Sequence, residues 1–150
     1  MSRHSDSIRL LLAQGPMAAR QIVEKTGISQ PTVSRALASL GDEVLRIGSG
    51  SSIRYALRDT ARGFASAPIF RVSDAGLIRA LGTLVPVRTD GFVMVQADGV
   101  TLHSDGLPWW LFDMRPQGYL GRAYASTYAA ALGLPANPEH WNDTEVIRAL

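Results

Sequence analysis

The sequence predicts an α+β fold: three short helices and a two-stranded wing, followed by a small α+β lobe with a hairpin and two or three helices. Three observations predict it. Helical periodicity interrupted by glycines extends over residues 5–40, strand alternation flanks a Gly-Ser run at 48–51, and an Asp-Gly pair at 98–99 separates two apolar strands. At 150 residues and 46% hydrophobic side chains, the chain is long and apolar enough to bury such cores.

The first two helices are predicted before residue 28. In the first, Ser5 or Asp6 is placed to cap the N-terminus, and apolar residues recur at the i, i+3, i+4 spacing of a buried stripe. The second helix stops at Gly27, because glycine accepts the left-handed backbone that ends helices.

The third helix is predicted to begin after Ser29, its cap, with Pro31 in the first turn, where a missing N–H is tolerated. One face of it holds Val33, Ala36, Leu37 and Leu40, and the other holds Pro31, Ser34, Arg35 and Ala38. The small, cationic second face suits a DNA major groove about 12 Å wide. These features indicate a helix-turn-helix, although a two-helix corner in an ordinary core has similar signals.

A wing is predicted directly after these helices. The strands Val44–Ile47 and Ser52–Arg58 flank the glycine-serine loop. In the second strand, alternation sends Ile53, Tyr55 and Leu57 inward and Arg54, Ala56 and Arg58 outward. Arg46 alternates in the same way in the first strand, so an outward arginine face is expected to meet phosphates.

The run GISQPTVSRAL and the order helix, helix, helix, wing resemble the winged helix-turn-helix of bacterial transcription regulators, over about the first 58 residues. Such families usually place Ser or Thr where this chain has Ala18. The resemblance implies duplex DNA as the partner. A homodimer is expected as well, since one short helix reads too few bases to define a site in a genome.

The predicted DNA-binding residues form two groups. Those of the third helix are Ser29, Gln30, Pro31, Thr32, Ser34 and Arg35. Those of the wing are Arg46, Ser51, Ser52 and Arg54. Gln30, Thr32 and Arg35 are assigned to direct readout of bases, and the serines and wing residues to phosphate contacts.

Charge is divided unevenly along the chain. Residues 1–63 carry nine basic and five acidic side chains, and residues 64–150 carry six and eight, so their net charges are +4 and −2. The positive field therefore lies on the half predicted to meet a polyanion. Residues 59–68 are small and turn-forming and predict a linker, which gives domains 1–63 and 64–150.

The second lobe is predicted to contain, in order, a strand at 69–72, a helix capped by Ser73 and running to 85, a hairpin around Asp98-Gly99, and helices at 109–114, 118–134 and from Asn142. Asn142 and Glu145 form a capping box. Leu120, Tyr124 and Tyr128 lie at helical spacing. Because the last helix reaches Leu150 soon after a well-formed start, a longer parent protein is expected.

The segment 106–125 carries a second resemblance, through Leu107-Pro108-Trp109, Asp113 to Gly118 and Leu120-Gly121-Arg122. It resembles the N-terminal lobe of HipA-like serine/threonine kinases, the toxins of bacterial toxin–antitoxin modules, in the branch with its own helix-turn-helix. The resemblance implies a kinase parent. Kinase chemistry needs a Gly-rich loop, a phosphate-binding Lys and metal-binding Asp and Asn, which this chain lacks as a set. No enzyme activity is expected of the chain itself, and ATP is a partner only of a longer parent.

Composition limits the other possibilities. The chain has no Cys, and His4, His103 and His140 are far apart in sequence, so neither a metal nor another cofactor is predicted. No apolar run approaches the roughly 20 residues of a membrane span, and the N-terminus lacks a signal peptide, so the cytoplasm is expected. Three hypotheses remain: a DNA-binding regulator, the front end of a HipA-like kinase, and a ligand sensor with its pocket near Trp109 and Trp110.

Overall fold

The computed structural model describes residues 3–150 and shows an α+β fold of helices followed by antiparallel sheets. The chain divides into two compact units, the first extending through Ser104 and the second spanning Asp105–Leu150. Within residues 3–150, no helix is both long enough and apolar enough to cross a lipid bilayer.

The first unit begins with helices α1 (Arg3–Leu12), α2 (Ala19–Thr26) and α3 (Gln30–Leu40). Gly27 ends α2 in the left-handed conformation, with φ 68°, and Pro31 lies in the first turn of α3, as the sequence predicts. The three helices share one core, formed by Ile8, Leu12, Met17, Ile22, Val33, Ala36, Leu37, Leu40 and Leu57.

The predicted cap of α1 is wrong. The helix already includes Arg3, so Ser5 and Asp6 lie inside it. Ser5 is buried, with its Oγ 2.8 Å from Oγ of Ser39, and Asp6 binds Arg9 at 2.7 Å. The Ser5 hydroxyl thus contacts α3, and the Asp6 carboxylate forms an ion pair along the surface of α1.

The wing consists of β1 (Val44–Ile47) and β2 (Arg54–Leu57), antiparallel and joined by a 3₁₀ turn at Gly50–Ser52. Two backbone hydrogen bonds between Met17 and Tyr55, at 3.0 and 2.7 Å, attach β2 to the segment before α2. Leu57 is buried in the helical core and Tyr55 packs against it, which confirms the inward orientation predicted for them.

A four-stranded antiparallel meander follows, with β3 (Ala67–Val72), β4 (Ile78–Val87), β5 (Gly91–Gln96) and β6 (Thr101–Ser104) in sequential order. The helix predicted after Ser73 is therefore wrong. The Ser73 hydroxyl accepts a hydrogen bond from the backbone N–H of Leu77, and the N–H of Ser73 donates to the carbonyl of Leu77, which closes a β3–β4 hairpin. Residues 78–87 form a strand because they pair with β3 on one side and β5 on the other, and this pairing outweighs the helical preference predicted from the local sequence.

The predicted linker is wrong for its first half. Arg62 donates to the backbone carbonyls of Val87 and Gly91, at 2.5 and 2.8 Å, and also to the buried carboxylate of Asp59. The end of the predicted linker, from Ala67, belongs to β3. Buried ionic contacts therefore hold residues 59–62 in place, although their residue types are those of a turn. The division into domains 1–63 and 64–150 remains a prediction.

The second unit holds α4 (Trp109–Phe112), α5 (Gly118–Leu132) and α6 (Asp143–Ala149), with a 3₁₀ turn at Pro138–His140. The capping box of Asn142 and Glu145 is confirmed at the start of α6. The buried face of α5 consists of small residues, which are Gly121, Ala125 and Ala129.

The large residues at helical spacing in α5 do not form its buried face. Leu120 and Tyr128 are exposed, and Tyr124 is half-buried. A Cβ on Gly121 would lie 2.6 Å from the backbone of Pro116, so the helix approaches the preceding chain too closely for any larger residue. Close backbone packing, and not side-chain size, therefore decides which face of α5 is buried.

An ion pair between α1 and the turn before β1 gives stability a defined pH dependence. Arg9 Nε and Glu43 Oε2 are 2.8 Å apart, and hydrogen bonds from Arg9 lower the pKa of Glu43. A lowered folded-state pKa contributes stability above the unfolded pKa of glutamate, about 4.3, and that contribution is lost as pH falls through the folded pKa.

Glu43→Gln should therefore flatten the dependence of the unfolding free energy on pH between about pH 5 and pH 3. Urea unfolding at several pH values measures it. Glu24→Gln, which removes the i,i+4 partner of exposed Arg20, is the control. An unchanged pH profile for Glu43→Gln would mean that the pair adds nothing to folding.

Candidate nucleic-acid interface

The third helix exposes the face that the sequence predicts. Val33, Ala36, Leu37 and Leu40 are buried, whereas Pro31, Ser34, Arg35 and Ala38 are exposed. Ser29 and Gln30 are exposed as well, and Thr32 is half-buried. The buried side fixes the rotation of α3 about its axis, so the polar side has a defined direction.

Three side chains on this face are connected by hydrogen bonds. The Ser29 and Thr32 hydroxyls are 3.0 Å apart, and one terminal nitrogen of Arg35 lies 3.3 Å from Oγ1 of Thr32. Arg35 Nε also donates to the carbonyl of Pro31 at 3.3 Å. The guanidinium thus lies toward the N-terminal end of α3, with donors left over for a ligand.

Ser29 stands at the N-cap position of α3, but its side chain does not accept a backbone hydrogen bond. Its carbonyl accepts the N–H groups of Thr32 and Val33, while its hydroxyl contacts the Thr32 side chain. Helix N-termini attract anions because their N–H groups lack partners within the helix. The backbone N–H groups at the exposed start of α3 can therefore donate hydrogen bonds to a phosphate oxygen.

The two wing arginines lie on opposite faces of the hairpin. Arg46 pairs with Tyr55 across the strands, and Ile47 pairs with Arg54. Directly paired residues project to the same side, so Arg46 shares the side of the helical core and Arg54 shares the side of Ile47. Both side chains are exposed. The single arginine face predicted from the sequence is thus wrong, because the register places the two residues on different sides.

The side of the wing that faces away from the helical core is covered in part, although Arg54 on that side is exposed. Ala56 is 0% exposed and Arg58 is half-buried, so the solvent exposure predicted for these two residues is wrong. Ala56 and Ile47 form a cluster with Val87 and Val93 of the meander. The sequence pattern could not reveal this partner, because alternation is the same whether the second side meets water or another sheet.

The tip of the wing has a fixed position. The backbone N–H of Gly48 donates to Oγ1 of Thr101 on β6 at 2.7 Å. Ser51 and Ser52 are exposed in the 3₁₀ turn, where the Ser52 hydroxyl donates to the carbonyl of Ser49 at 2.8 Å. Thr101 is a positioning residue that sequence reasoning missed, since it lies 53 residues from its partner.

Comparisons with known proteins match both parts of the chain. Residues 8–43 match the family model of bacterial regulatory proteins of the ArsR family, and residues 64–150 match that of the YjjJ-like toxin middle domain. The chain is 40% identical over 141 residues to the protein named Toxin YjjJ of Escherichia coli (strain K12). That alignment covers 93% of this chain but 32% of the relative, so the chain spans about a third of the relative's length. No solved structure gives a significant match.

Proposed function

Because this chain belongs to the YjjJ-like toxin family and carries an ArsR-type helix-turn-helix, we propose that it is a sequence-specific, DNA-binding transcriptional regulator of a toxin–antitoxin locus. One observation carries the proposal: the exposed face of α3 joins Ser29, Thr32 and Arg35 by hydrogen bonds, opposite a fully buried apolar face. A preorganised donor set on a rigid helix is what readout of base edges requires.

Each group of residues has a distinct role in this proposal. Arg35 binds a guanine edge as a fork, and Gln30 and Thr32 contact neighbouring bases. Ser29 and Ser34 hold phosphates beside the groove, and Pro31 permits close approach. The wing set Arg46, Ser51, Ser52 and Arg54 binds backbone phosphates. Arg46 and Arg54 lie on opposite faces of the hairpin, and both are exposed, so they contact different phosphates.

We propose further that the protein acts in the cytoplasm as a homodimer. A single α3 reads only a few base pairs, and a two-fold operator doubles the sequence that is recognised. Selection of bound DNA from a random pool at stated salt tests the sequence specificity and the homodimer, because an enriched inverted repeat is the expected product. Enrichment of no sequence over the starting pool would contradict sequence-specific binding.

Arg35→Ala and Arg54→Ala should weaken DNA binding in different ways. Arg35→Ala should cost about 1–3 kcal/mol at the selected site and much less on random DNA, because it removes a base contact. Arg54→Ala should weaken both DNAs alike and reduce the slope of log affinity against log salt by about one. Fluorescence anisotropy on both duplexes measures the difference.

Arg122→Ala is the matched control, since Arg122 is an exposed arginine of the second unit, 3.8 Å from Glu139. Its affinity and salt slope should equal those of the wild type. If Arg35→Ala lowers both affinities equally and changes the salt slope, Arg35 is a phosphate ligand and its assignment to base readout is wrong.

A second candidate function follows from the similarity to a toxin of which the chain spans about a third. In this proposal, the chain is the front region of a HipA-like kinase toxin, and DNA binding and toxicity reside in one polypeptide. Phosphotransfer from ATP by the longer parent tests it. The ligand-sensor hypothesis is weaker, because Trp109 is 85% exposed and cannot line an enclosed pocket.

A further inference from the structure

The hairpin formed by β3 and β4 extends beyond the rest of its sheet. Gly82 pairs with Gln96, which is the last β4–β5 pair at this end, and the carbonyl of Leu81 accepts one more bond from Ala97. Residues 70–81, which we name the β-arm, are all exposed. The β-arm is thus a two-stranded ribbon that is exposed to solvent on both sides.

The β-arm extends past the tip of the wing. At the base of the wing, Arg58 forms a bridge with Val87, at the end of β4. At its tip, Gly48 binds Thr101, which lies across β5 from Thr83 of β4. Following β4 backward from Val87 to Thr83 therefore leads from the base of the wing to its tip. About 17 Å of strand, at about 3.4 Å per residue, separate Thr83 from the last strand pair of the β-arm, with a β-bulge between Ile69 and Phe70.

The β-arm has one cationic side. Arg71 and Arg79 are directly paired across the strands, so their guanidinium groups project from the same side. Like charges directly opposite each other destabilise a hairpin. Within residues 3–150 neither arginine forms an ion pair, and the acid of the β-arm, Asp74, lies in the turn. With Val72, Ser73, Asp74 and Leu77, the two arginines line a concavity at the end of the hairpin, so one carboxylate stands against two guanidinium groups there.

We propose that the β-arm is a second DNA-binding element, in which Arg71 and Arg79 bind backbone phosphates of the duplex beyond the wing. The inference rests on the proposed DNA-binding function and extends its footprint. Asp74 offsets one of the two positive charges, and a polyanion supplies the countercharge that is left over. A two-stranded ribbon is also narrow enough to follow a groove. The other side of the β-arm carries exposed Phe70, Val72 and Ile78, which makes a second copy of the chain the competing occupant.

The test uses the 150-residue chain with fluorescent random-sequence duplexes of about 30 and about 12 base pairs, titrated from low to moderate salt. Arg71→Ala/Arg79→Ala should reduce the salt slope on the longer duplex by about two and the affinity by about sixtyfold at about 100 mM salt, at about eightfold per lost phosphate contact. On the shorter duplex, which the wing and α3 occupy, the double variant should bind like the wild type.

Arg79→Glu separates binding from folding. A glutamate opposite Arg71 forms a cross-strand ion pair, so the melting temperature should stay equal or rise while binding to the longer duplex weakens by more than tenfold. Arg122→Ala again controls for the loss of an exposed arginine. Sedimentation equilibrium of wild type and Val72→Ser in the absence of DNA tests whether the apolar side of the β-arm joins two copies.

Each outcome decides between the alternatives. If the double variant binds the longer duplex like the wild type while Arg54→Ala is weakened, the β-arm does not contact DNA but the proposed function stands. If the wild type binds neither duplex nor any selected sequence, both proposals are overturned. If Val72→Ser turns a dimer into a monomer while the double arginine variant binds the longer duplex like the wild type, the β-arm binds a second copy and the DNA assignment is wrong.

Discussion

Asp59→Ala is expected to destabilise the first unit by about 3–5 kcal/mol, because it leaves a buried guanidinium without its counter-ion. The side chains of Asp59 and Arg62 are 9% and 8% exposed, and Arg62 Nε lies 3.1 Å from Oδ2 of Asp59. Arg88 Nε lies 3.5 Å from the other carboxylate oxygen. The guanidinium of Arg62 also stands over the ring of Phe92, 4.8 Å from its centroid. The variant thus leaves the positive charge of Arg62 buried in the sheet without a carboxylate partner.

Urea unfolding followed by circular dichroism measures this loss. Asp42→Ala is the control, since Asp42 is exposed in the 3₁₀ turn after α3, and it should change the free energy by no more than about 0.5 kcal/mol. A cost below about 1 kcal/mol for Asp59→Ala would show that the carbonyls of Val87 and Gly91 alone satisfy Arg62.

The helix-turn-helix could be predicted from the sequence because its signals are local. Gly27 and Pro31 mark the end of one helix and the start of the next within five residues. The apolar spacing of α3 leaves a single face that can be buried. The fold of the helix-turn-helix and the exposed face of α3 are therefore determined by residues that are close together in the sequence.

The predictions that were wrong share a different cause: the structure of those segments depends on residues that are distant in the sequence. Ser73 accepts a hydrogen bond in a hairpin, not at a helix start, because β4 pairs with two strands. Ala56 is buried by Val87 and Val93, which follow it by more than 30 residues. Arg46 and Arg54 lie on opposite faces because the strand register places them so. Periodicity within a strand contains none of this information.

The second unit depends on one large side chain, Trp141, which is 1% exposed. It packs with Ala125, Ala129 and Val146, and its indole N–H donates to the carbonyl of Pro135 at 2.7 Å. The ring also meets Tyr124 edge-on, with 6.4 Å between centroids. The small residues of α5 therefore face an aromatic ring that fills the space they leave.

Trp141→Ala should accordingly destabilise the second unit by about 3–5 kcal/mol, because it removes a fully buried aromatic ring and opens a cavity between α5 and α6. Thermal unfolding by circular dichroism measures the loss. Trp109→Ala is the matched control: it removes the same ring at a position 85% exposed, and should leave the melting temperature nearly unchanged. Equal effects of the two substitutions would contradict the core assigned to α5 and α6, since burial is the property that distinguishes the two tryptophans.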